Sequence, residues 1–174
     1  YSASSSAYGE SDIMPLVETM PTNPMSPYGL SKLMGEEYCK LFTTQYGLET
    51  VSLRYFNVYG ERQNIDGGYC LVMGIFAKQK KNNEPLTIVG DGEQKRDFTF
   101  VGDVVNANIL AATSDKVGAG EVINVGNGDN RSVNQIADMI GGDKINIPSR
   151  VEPKETLANI QKGKELLNCI LFFA

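Results

Sequence analysis

The sequence feature that most constrains the fold is an alternation of strand-like and helix-like segments along the whole chain. Strand patterns cover residues 49–56, 85–89, 97–101 and 121–125, and helix patterns cover 26–46, 69–82, 103–113, 132–140 and 159–167. Such alternation is typical of an α/β protein with a mostly parallel sheet. A chain of 174 residues is long enough to enclose a core of this kind.

The longest helix pattern, residues 26–46, carries clear start and stop signals. Ser26 is suited to cap the helix and Pro27 to occupy its first position, while Gly47 is suited to end it. The next segment alternates apolar side chains, among them Val51 and Leu53, and we expect it to lie inside the sheet.

Composition narrows the chemistry that the chain supports. It contains no histidine, which excludes Ser-His-Asp and Cys-His catalysis and leaves Tyr, Lys, Ser and carboxylates for proton transfer. The three cysteines, Cys39, Cys70 and Cys169, are odd in number and lack metal-ligand spacing, so we expect neither a disulfide framework nor a metal site.

The charge balance and hydropathy also limit the partners. A net charge of -5 argues against nucleic acid as a partner, although a few placed arginines are compatible with a small anion. No stretch approaches the roughly 20 apolar residues of a membrane span. We therefore expect no membrane partner and a cytoplasmic location.

Tyr28 and Lys32 form a Y-x-x-x-K pair, which a helix places on one face a single turn apart. An ammonium beside a phenol stabilises the phenolate, which makes Tyr28 a candidate general base. The alternative is a half-buried aromatic beside a solvated charge. With 8 tyrosines in the chain the spacing alone is weak evidence, so the surrounding motifs must decide.

Those motifs occur in a fixed order along the chain. They are SASSSAYG at 2–9, Y-x-x-x-K at 28–32, RYFNVYG at 54–60, RQ at 62–63 and GDGEQKRDF at 90–98. As an ordered set they resemble the extended short-chain dehydrogenase/reductases that act on nucleotide sugars, and among them the UDP-glucose and UDP-N-acetylglucosamine 4-epimerases. The resemblance runs from Ser2 to Leu167.

The resemblance implies a fold and a domain organisation. The fold would be the C-terminal part of a Rossmann-like doubly wound parallel sheet, with a smaller α/β substrate-binding domain. Residues 1–65 would form the second half of the NAD-binding domain, and 66–174 mainly the substrate region, with returns to the sheet. About a hundred residues that carry the first half of the nucleotide fold would be missing, so this chain alone is expected to be inactive. Relatives of this kind also imply a homodimer built on the helix at 26–46.

The resemblance also assigns roles to individual residues. The catalytic set would be Ser4, Ser5, Tyr28 and Lys32; the cofactor contacts Tyr28, Lys32 and Tyr55; and the substrate contacts Asn57, Arg62, Arg96, Arg150 and Thr156. Guanidinium groups suit a diphosphate because their paired N–H donors match its oxygens. Thr156, or Leu157 by the other alignment, would gate the sugar pocket, and either is small enough to admit an N-acetyl group.

The implied reaction is NAD-dependent epimerisation at C4 of a UDP-hexose or UDP-N-acetylhexosamine through a 4-keto intermediate. Dehydratase and decarboxylase relatives carry acidic residues just after the catalytic Ser or Thr, whereas this chain has Ser5 and Ser6 there, which favours epimerisation. The alternatives are a nucleotide-sugar 4,6-dehydratase or reductase of the same superfamily, or a non-catalytic nucleotide-sugar-binding fragment.

One glycine-rich segment superficially resembles a phosphate-binding turn. The sequence VGNGDNR at 125–131 lies between a strand and a helix pattern, but Arg131 stands where a third glycine belongs. We interpret the segment as a structural turn.

Overall fold

The computed structural model describes residues 1–66 and 70–168. The helices are α1 (Pro27–Tyr46), α2 (Val72–Lys81), α3 (Val101–Thr113), α4 (Val133–Ile140) and α5 (Gln161–Leu167). The strands are β1 (Ser2–Ser4), β2 (Thr50–Tyr55), β3 (Val58–Tyr59), β4 (Leu86–Val89), β5 (Lys95–Arg96), β6 (Thr99–Phe100), β7 (Ala119–Val125), β8 (Arg131–Ser132) and β9 (Lys144–Ile147).

A parallel three-stranded sheet in the order β1-β2-β7 forms the centre of the fold. Ser4 lies opposite Tyr55, and Tyr55 lies opposite Val125, so the carboxyl ends of all three strands meet at one edge. The prediction that the segment at 49–56 lies inside the sheet is confirmed. In parallel α/β sheets, ligands bind at this edge.

Three two-stranded ladders complete the strand pairing of the described residues. The β3–β6 and β4–β9 pairs are parallel, and β5–β8 is antiparallel. The β3–β6 and β5–β8 ladders contain only two residue pairs each. The first joins the segment after β2 to the segment before α3, and the second joins residues 95–96 to the two residues that precede α4.

Helix α1 forms as its sequence predicts. The Ser26 hydroxyl accepts a hydrogen bond from the Gly29 N–H at 3.0 Å, Pro27 is the first helical residue, and Gly47 ends the helix with a φ of 66°. That positive φ suits glycine because it has no Cβ. The helix packs against all three strands of the central sheet.

The apolar core of the described residues contains two large clusters and a smaller one around Tyr8, Leu16 and Phe56. One large cluster joins the central sheet to α3 and α5 through Leu53, Val104, Ala107, Ile123, Val125 and Leu167. The other large cluster joins α2, α4 and β4 through Phe76, Leu86, Ile88, Phe98, Val133 and Ile136. The domain division at residue 65 stays a prediction.

The structure corrects several predicted boundaries. The strand expected at 97–101 contains only Thr99 and Phe100, because Val101 already begins α3, with Asp103 in the first turn where a carboxylate favours a helix. The last helix starts at Gln161 rather than 159, since the Asn159 side chain accepts the Gln161 N–H. Strands β1 and β9 and the two-residue strands β3, β5 and β8 were not predicted from the sequence pattern.

The remaining helices match closely. Helix α2 lies within the predicted 69–82, although Tyr69 is outside the described residues, and α4 begins just after Ser132, which caps it together with Gln135. The apolar end of the chain, including Cys169, also lies outside the described part.

Cys39 and Cys70 are free thiols. Among the described helices, none has both the length and the apolarity needed to cross a membrane.

Candidate active site

A cleft of about 410 Å³ opens at the carboxyl ends of β1 and β2. It brings together seven of the ten site residues predicted from the sequence, namely Ser4, Ser5, Tyr28, Tyr55, Asn57, Arg96 and Thr156. Ser6, Leu71 and Pro153 also line it. Residues far apart in sequence thus meet at the edge of the sheet where α/β proteins bind ligands.

The serine side of the cleft is a tight turn after β1. The Ser4 hydroxyl caps this turn by accepting the Ser6 N–H at 3.2 Å, and the Ser6 hydroxyl donates to it at 2.9 Å. Ser4 is almost completely buried. These contacts hold the Ser4 oxygen in one place beside the cleft.

The first turn of α1 approaches this serine turn very closely. A Cβ on Gly29 would lie only 2.7 Å from the Ser6 carbonyl oxygen, so a glycine is required for the approach. Tyr28 immediately precedes it and lines the cleft with 41% of its surface exposed. No pattern in the sequence indicated this role of Gly29.

Lys32 lies one turn further along α1, outside the set that lines the cleft. Its ammonium donates to the Ser2 carbonyl oxygen at 2.9 Å and lies 5.7 Å from the centre of the Tyr28 ring. It also lies 5.6 Å from the centre of the Tyr1 ring. The predicted Tyr28–Lys32 proximity is therefore present in the structure.

The end of β2 supplies the opposite wall. The Tyr55 hydroxyl donates to Asn108 Oδ1 at 2.9 Å. The Asn57 amide group donates to the Asp97 carbonyl oxygen at 3.3 Å and reaches Thr156 Oγ1 at 3.5 Å. Asn57 and Thr156, both predicted from the resemblance as substrate contacts, are thus in direct contact.

Arg96 is the buried cation of the cleft. Its Nη1 donates to the carbonyl oxygens of Lys95 and Lys154, and its Nη2 lies 3.1 Å from Glu152 Oε2. Burial lowers the pKa of Arg96, although the negative charge of Glu152 acts in the opposite direction. The carbonyl contacts fix the plane of the guanidinium.

Arg150 does not line the main cleft but lies close to it. A neighbouring cavity of about 100 Å³ is lined by Asn57, Arg96 and Arg150 together. Arg150 Nη2 lies 3.4 Å from Glu152 Oε2, so one carboxylate contacts both arginines. The three residues predicted to contact a diphosphate therefore surround one space.

Arg62 is exposed, with a φ of 61°, and is not among the residues that line the cleft. Its role as a substrate contact stays a prediction.

The glycine-rich loop after β7 has a structural role. The N–H groups of Asn127 and Gly128 donate to the Asp97 carboxylate at 2.6 and 3.0 Å. These are the donors that a phosphate-binding loop would offer to its ligand. The structure therefore supports the interpretation of this loop as a structural turn.

A buried polar network under α1 was missed in the sequence. Arg54 pairs with Glu36 through two hydrogen bonds, and its guanidinium lies 4.5 Å from the centre of the Tyr8 ring. The Tyr8 hydroxyl in turn donates to Asn124 Oδ1 at 2.7 Å. The only sequence signal is a charged residue between apolar neighbours in β2, at Arg54.

Comparison with known proteins defines the class to which this site belongs. The chain belongs to the NAD dependent epimerase/dehydratase family, whose sequence profile matches residues 1–126. This confirms the resemblance identified in the sequence and, at the level of the family, the predicted NAD dependence.

Individual relatives agree with this assignment. A UDP-glucose 4-epimerase of Corynebacterium glutamicum is 31% identical over 96% of this chain and 56% of its own length. The UDP-glucuronic acid 4-epimerase of Bacillus cereus, solved with UDP-glucuronic acid and NAD, is 36% identical with a TM-score of 0.91, covering 99% of this chain and 56% of that one.

A third relative was solved with a different UDP-sugar. The UDP-N-acetylglucosamine 4-epimerase of Methanobrevibacter ruminantium, solved with UDP-N-acetylmuramic acid, is 38% identical with a TM-score of 0.88 and covers 99% of this chain and 56% of that one. These structures confirm the predicted fold class, a Rossmann-like α/β protein with parallel sheets.

Relatives with a different activity also match this chain, and the match covers only part of their length. A dTDP-4-dehydro-6-deoxyglucose reductase of Escherichia coli is 33% identical over 80% of this chain and 43% of its own length. The chain spans about half the length of the curated relatives that it matches.

The residues present fit the nicotinamide-ribose end of a dinucleotide. An ammonium has three donors, and the Lys32 contact with the Ser2 carbonyl oxygen leaves two for ribose hydroxyls. The Tyr28 ring lies close to this ammonium, and Tyr28 and Tyr55 both line the cleft at the carboxyl ends of β1 and β2, where dinucleotides bind in this fold class. The sequence has no G-x-G-x-x-G turn for the pyrophosphate.

Proposed function

We propose that this chain carries the catalytic and substrate-binding residues of an NAD-dependent UDP-sugar 4-epimerase. The observation that carries the proposal is one cleft in which Ser4 and Tyr28 lie beside Asn57 and Arg96. A single UDP-sugar could then contact both Tyr28, as the proton acceptor for its sugar hydroxyl, and Arg96, as the cation for its diphosphate. The relatives with UDP-sugars in their sites support this proposal.

Tyr28 is the proposed general base. It takes the proton of the C4 hydroxyl, while the Ser4 hydroxyl holds the same sugar oxygen by a hydrogen bond. The positive charge of Lys32, close to the Tyr28 ring, stabilises the negative charge that develops on the phenol oxygen. When bound, NAD would supply reversible hydride transfer at C4, so the reaction would have no net redox change.

The same residues complete the return step. Tyr28 gives its proton back to the C4 oxygen as the 4-keto carbon is reduced, which restores the starting protonation state of the site. Tyr28, Lys32 and Tyr55 hold the nicotinamide-ribose side, and their fixed positions supply orientation for both half-reactions.

Arg96, Arg150 and Asn57 are the proposed diphosphate contacts. The two arginines share the carboxylate of Glu152, and a diphosphate would offer them more oxygen acceptors than that single carboxylate does. We also propose Arg62 as a substrate contact, because it lies in the RQ motif at 62–63.

Epimerisation is favoured over dehydration by the serine turn. A dehydratase needs an acid and a base to expel the C6 hydroxyl and remove the C5 proton. Ser5 and Ser6 line the cleft at the positions where such relatives carry acidic residues. Thr156 is a small residue at the cleft wall, so we propose that an N-acetyl group is accepted.

A homodimer through α1 is part of the proposal. Met34, Tyr38 and Leu41 are exposed on this helix, as are Leu30 and Phe42. A row of exposed apolar side chains on one helix suits a self-association surface. Sedimentation analysis of the protein and of a Tyr38→Glu variant tests this: the variant is expected to be monomeric, and a monomeric wild type contradicts it.

Proton NMR of a UDP-N-acetylglucosamine reaction in D₂O tests the proposed activity, with NAD present and with this chain joined to the N-terminal half of the nucleotide-binding fold. Epimerisation should give the 4-epimer with protium retained at C4, because the same hydrogen leaves and returns. A 4,6-dehydratase would instead give a C6 methyl group and deuterium at C5. A non-catalytic binding protein would give neither product, and either of these results contradicts the proposal.

A nucleotide-sugar reductase is the second candidate, favoured by the similarity to the dTDP-4-dehydro-6-deoxyglucose reductase. It predicts net consumption of a reduced nicotinamide cofactor with a 4-keto sugar as substrate. The absorbance of the reduced nicotinamide distinguishes the reductase from the epimerase, since an epimerase leaves that absorbance unchanged over many turnovers.

A further inference from the structure

Asp97 is a buried carboxylate that the proposed reaction does not use. It is 0% exposed and follows Arg96 directly. Its Oδ1 accepts the Asn127 N–H at 2.6 Å, and its Oδ2 accepts the N–H groups of Gly128 and Ala158, both at 3.0 Å. One carboxylate thus joins two separate segments of the chain.

The main chain of Asp97 contacts the cleft at the same time. Its carbonyl oxygen accepts from the Asn57 amide at 3.3 Å, and its N–H donates to Thr156 Oγ1 at 3.5 Å. Asn57 and Thr156 both line the cleft. The side chain of Asp97 therefore holds the loop at 127–128 and the segment at Ala158, while its main chain contacts two residues that face the cleft.

The packing around Asp97 leaves no room for a shift. A Cβ on Gly126 would collide with the Ala158 Cβ and lie 2.9 Å from Asp97 Oδ2. An ionised carboxylate has two oxygens that only accept, so it satisfies three converging N–H donors, whereas a carboxamide of the same shape has one such oxygen. The arrangement is specific for aspartate.

We propose that Asp97 is a positioning residue for the diphosphate side of the cleft. By joining the loop at 126–128 to residues 156–158, it holds Thr156 and Asn57 in register with Arg96. It touches no substrate itself. This inference rests on the proposed function, since it takes the cleft as a UDP-sugar site.

An Asp97→Asn variant tests the inference, with UDP as the probe in titration calorimetry. The new NH₂ group faces a backbone N–H, so at least one donor loses its acceptor and the segments separate. We expect the UDP Kd to rise about tenfold. In turnover assays the KM for the UDP-sugar should rise while kcat changes by less than about twofold, because the Tyr28 side is intact.

The matched control is Asp103→Asn, the same change at another buried aspartate that is in the first turn of α3 and is not among the residues lining the cleft. It is expected to lower thermal stability and leave the UDP Kd unchanged. An Asp97→Asn protein that binds UDP like the wild type overturns the inference, and so does an equal loss of UDP binding in Asp103→Asn.

A second variant approaches the same contact from the opposite side. Gly126→Ala keeps the carboxylate but pushes Ala158 away from Asp97, so it should also weaken UDP binding; unchanged binding contradicts the inference. This keeps the test decisive if Asp97→Asn does not fold. A wild-type protein that fails to bind UDP overturns the proposed function itself, and the inference with it.

Discussion

Glu36 and Arg54 form a two-pronged ion pair that is completely enclosed between α1 and β2. Arg54 Nε donates to Glu36 Oε1 at 2.9 Å and Nη2 to Oε2 at 2.7 Å. Burial opposes the charge on Arg54, but its contacts with Glu36 and Tyr8 outweigh this and raise the pKa of the guanidinium. Glu36 is two turns from Tyr28, so the pair fixes the helix that carries the proposed base.

Removing one member of this pair should destabilise the protein strongly. In Glu36→Met the Arg54 charge stays buried without its partner, and we expect a loss of about 3–5 kcal/mol in the free energy of unfolding, measured by urea denaturation. The double variant Glu36→Met, Arg54→Met should recover most of that loss, since no unpaired charge remains. On the same helix, Glu37→Gln breaks the exposed pair with Lys40 and should cost less than about 1 kcal/mol. Similar losses at Glu36 and Glu37 would contradict this account.

Tyr8 should give the folded protein a characteristic alkaline instability. Burial raises the pKa of its phenol, although Arg54 and Asn124 act in the opposite direction. The unfolded chain has an ordinary tyrosine pKa of about 10. The contribution of Tyr8 is therefore complete below that pH and is lost as the pH rises toward the folded-state value.

Tyr8→Phe isolates this effect. At pH 8 the wild type should be more stable by about 1 kcal/mol, because the variant lacks the hydrogen bond to Asn124. The difference should shrink as the pH rises above about 10, when measured by urea denaturation at a series of pH values. A difference that stays constant or widens would show that the phenol is not the titrating group.

Gly29 should tolerate no side chain. In Gly29→Ala the new Cβ lies 2.7 Å from the Ser6 carbonyl oxygen, so α1 must move away from the serine turn and carry Tyr28 with it. We expect kcat to fall about tenfold or more, as misplacement of a reacting group commonly causes.

Gly47→Ala is the control for that change because it is the same substitution at the other end of α1. Gly47 has a φ of 66° and open space around its Cβ position, so alanine should cost about 1 kcal/mol of stability through its backbone alone. It should leave kcat unchanged. Equal effects of the two variants on kcat would contradict the proposed Gly29 contact.

Arg96→Lys should weaken UDP binding about tenfold or more. Lysine keeps the charge but cannot bind the Lys95 and Lys154 carbonyl oxygens and a phosphate together as a fixed fork. Arg131→Lys is the control, because Arg131 pairs with Asp129 near the surface. Calorimetry with UDP should show a loss only in the Arg96 variant; equal affinities in both would remove Arg96 from the site.

The sequence predicted the parts of the fold that local signals determine. Helix α1 begins and ends within one residue of its prediction, because a cap, a proline and a glycine mark its ends. The two-residue strands β5 and β8 carry no such signal, since they form only when distant segments meet. The strand predicted at 97–101 was too long, because α3 already begins at Val101.

The cleft residues of the site were predicted from the sequence, whereas the buried residues that support them were not. The order of the motifs predicted Ser4, Tyr28, Asn57 and Arg96 as parts of one site, and the structure places them in one cleft. The buried supports at Glu36 and Asp97 were missed, because their partners lie 18 and up to 61 positions away and no periodicity links them. The catalytic, cofactor and substrate roles remain proposals.

The most direct test of the central claim is turnover by a Tyr28→Phe variant of a protein that joins this chain to the N-terminal half of the nucleotide-binding fold, measured as formation of the 4-epimer of a UDP-sugar in the presence of NAD. Phenylalanine keeps the ring but has no hydroxyl to take the C4 proton. Turnover should fall about 100-fold or more while the UDP Kd stays near that of the wild type, and Tyr46→Phe, at the exposed end of α1, should behave as wild type. Wild-type turnover in Tyr28→Phe would contradict the account.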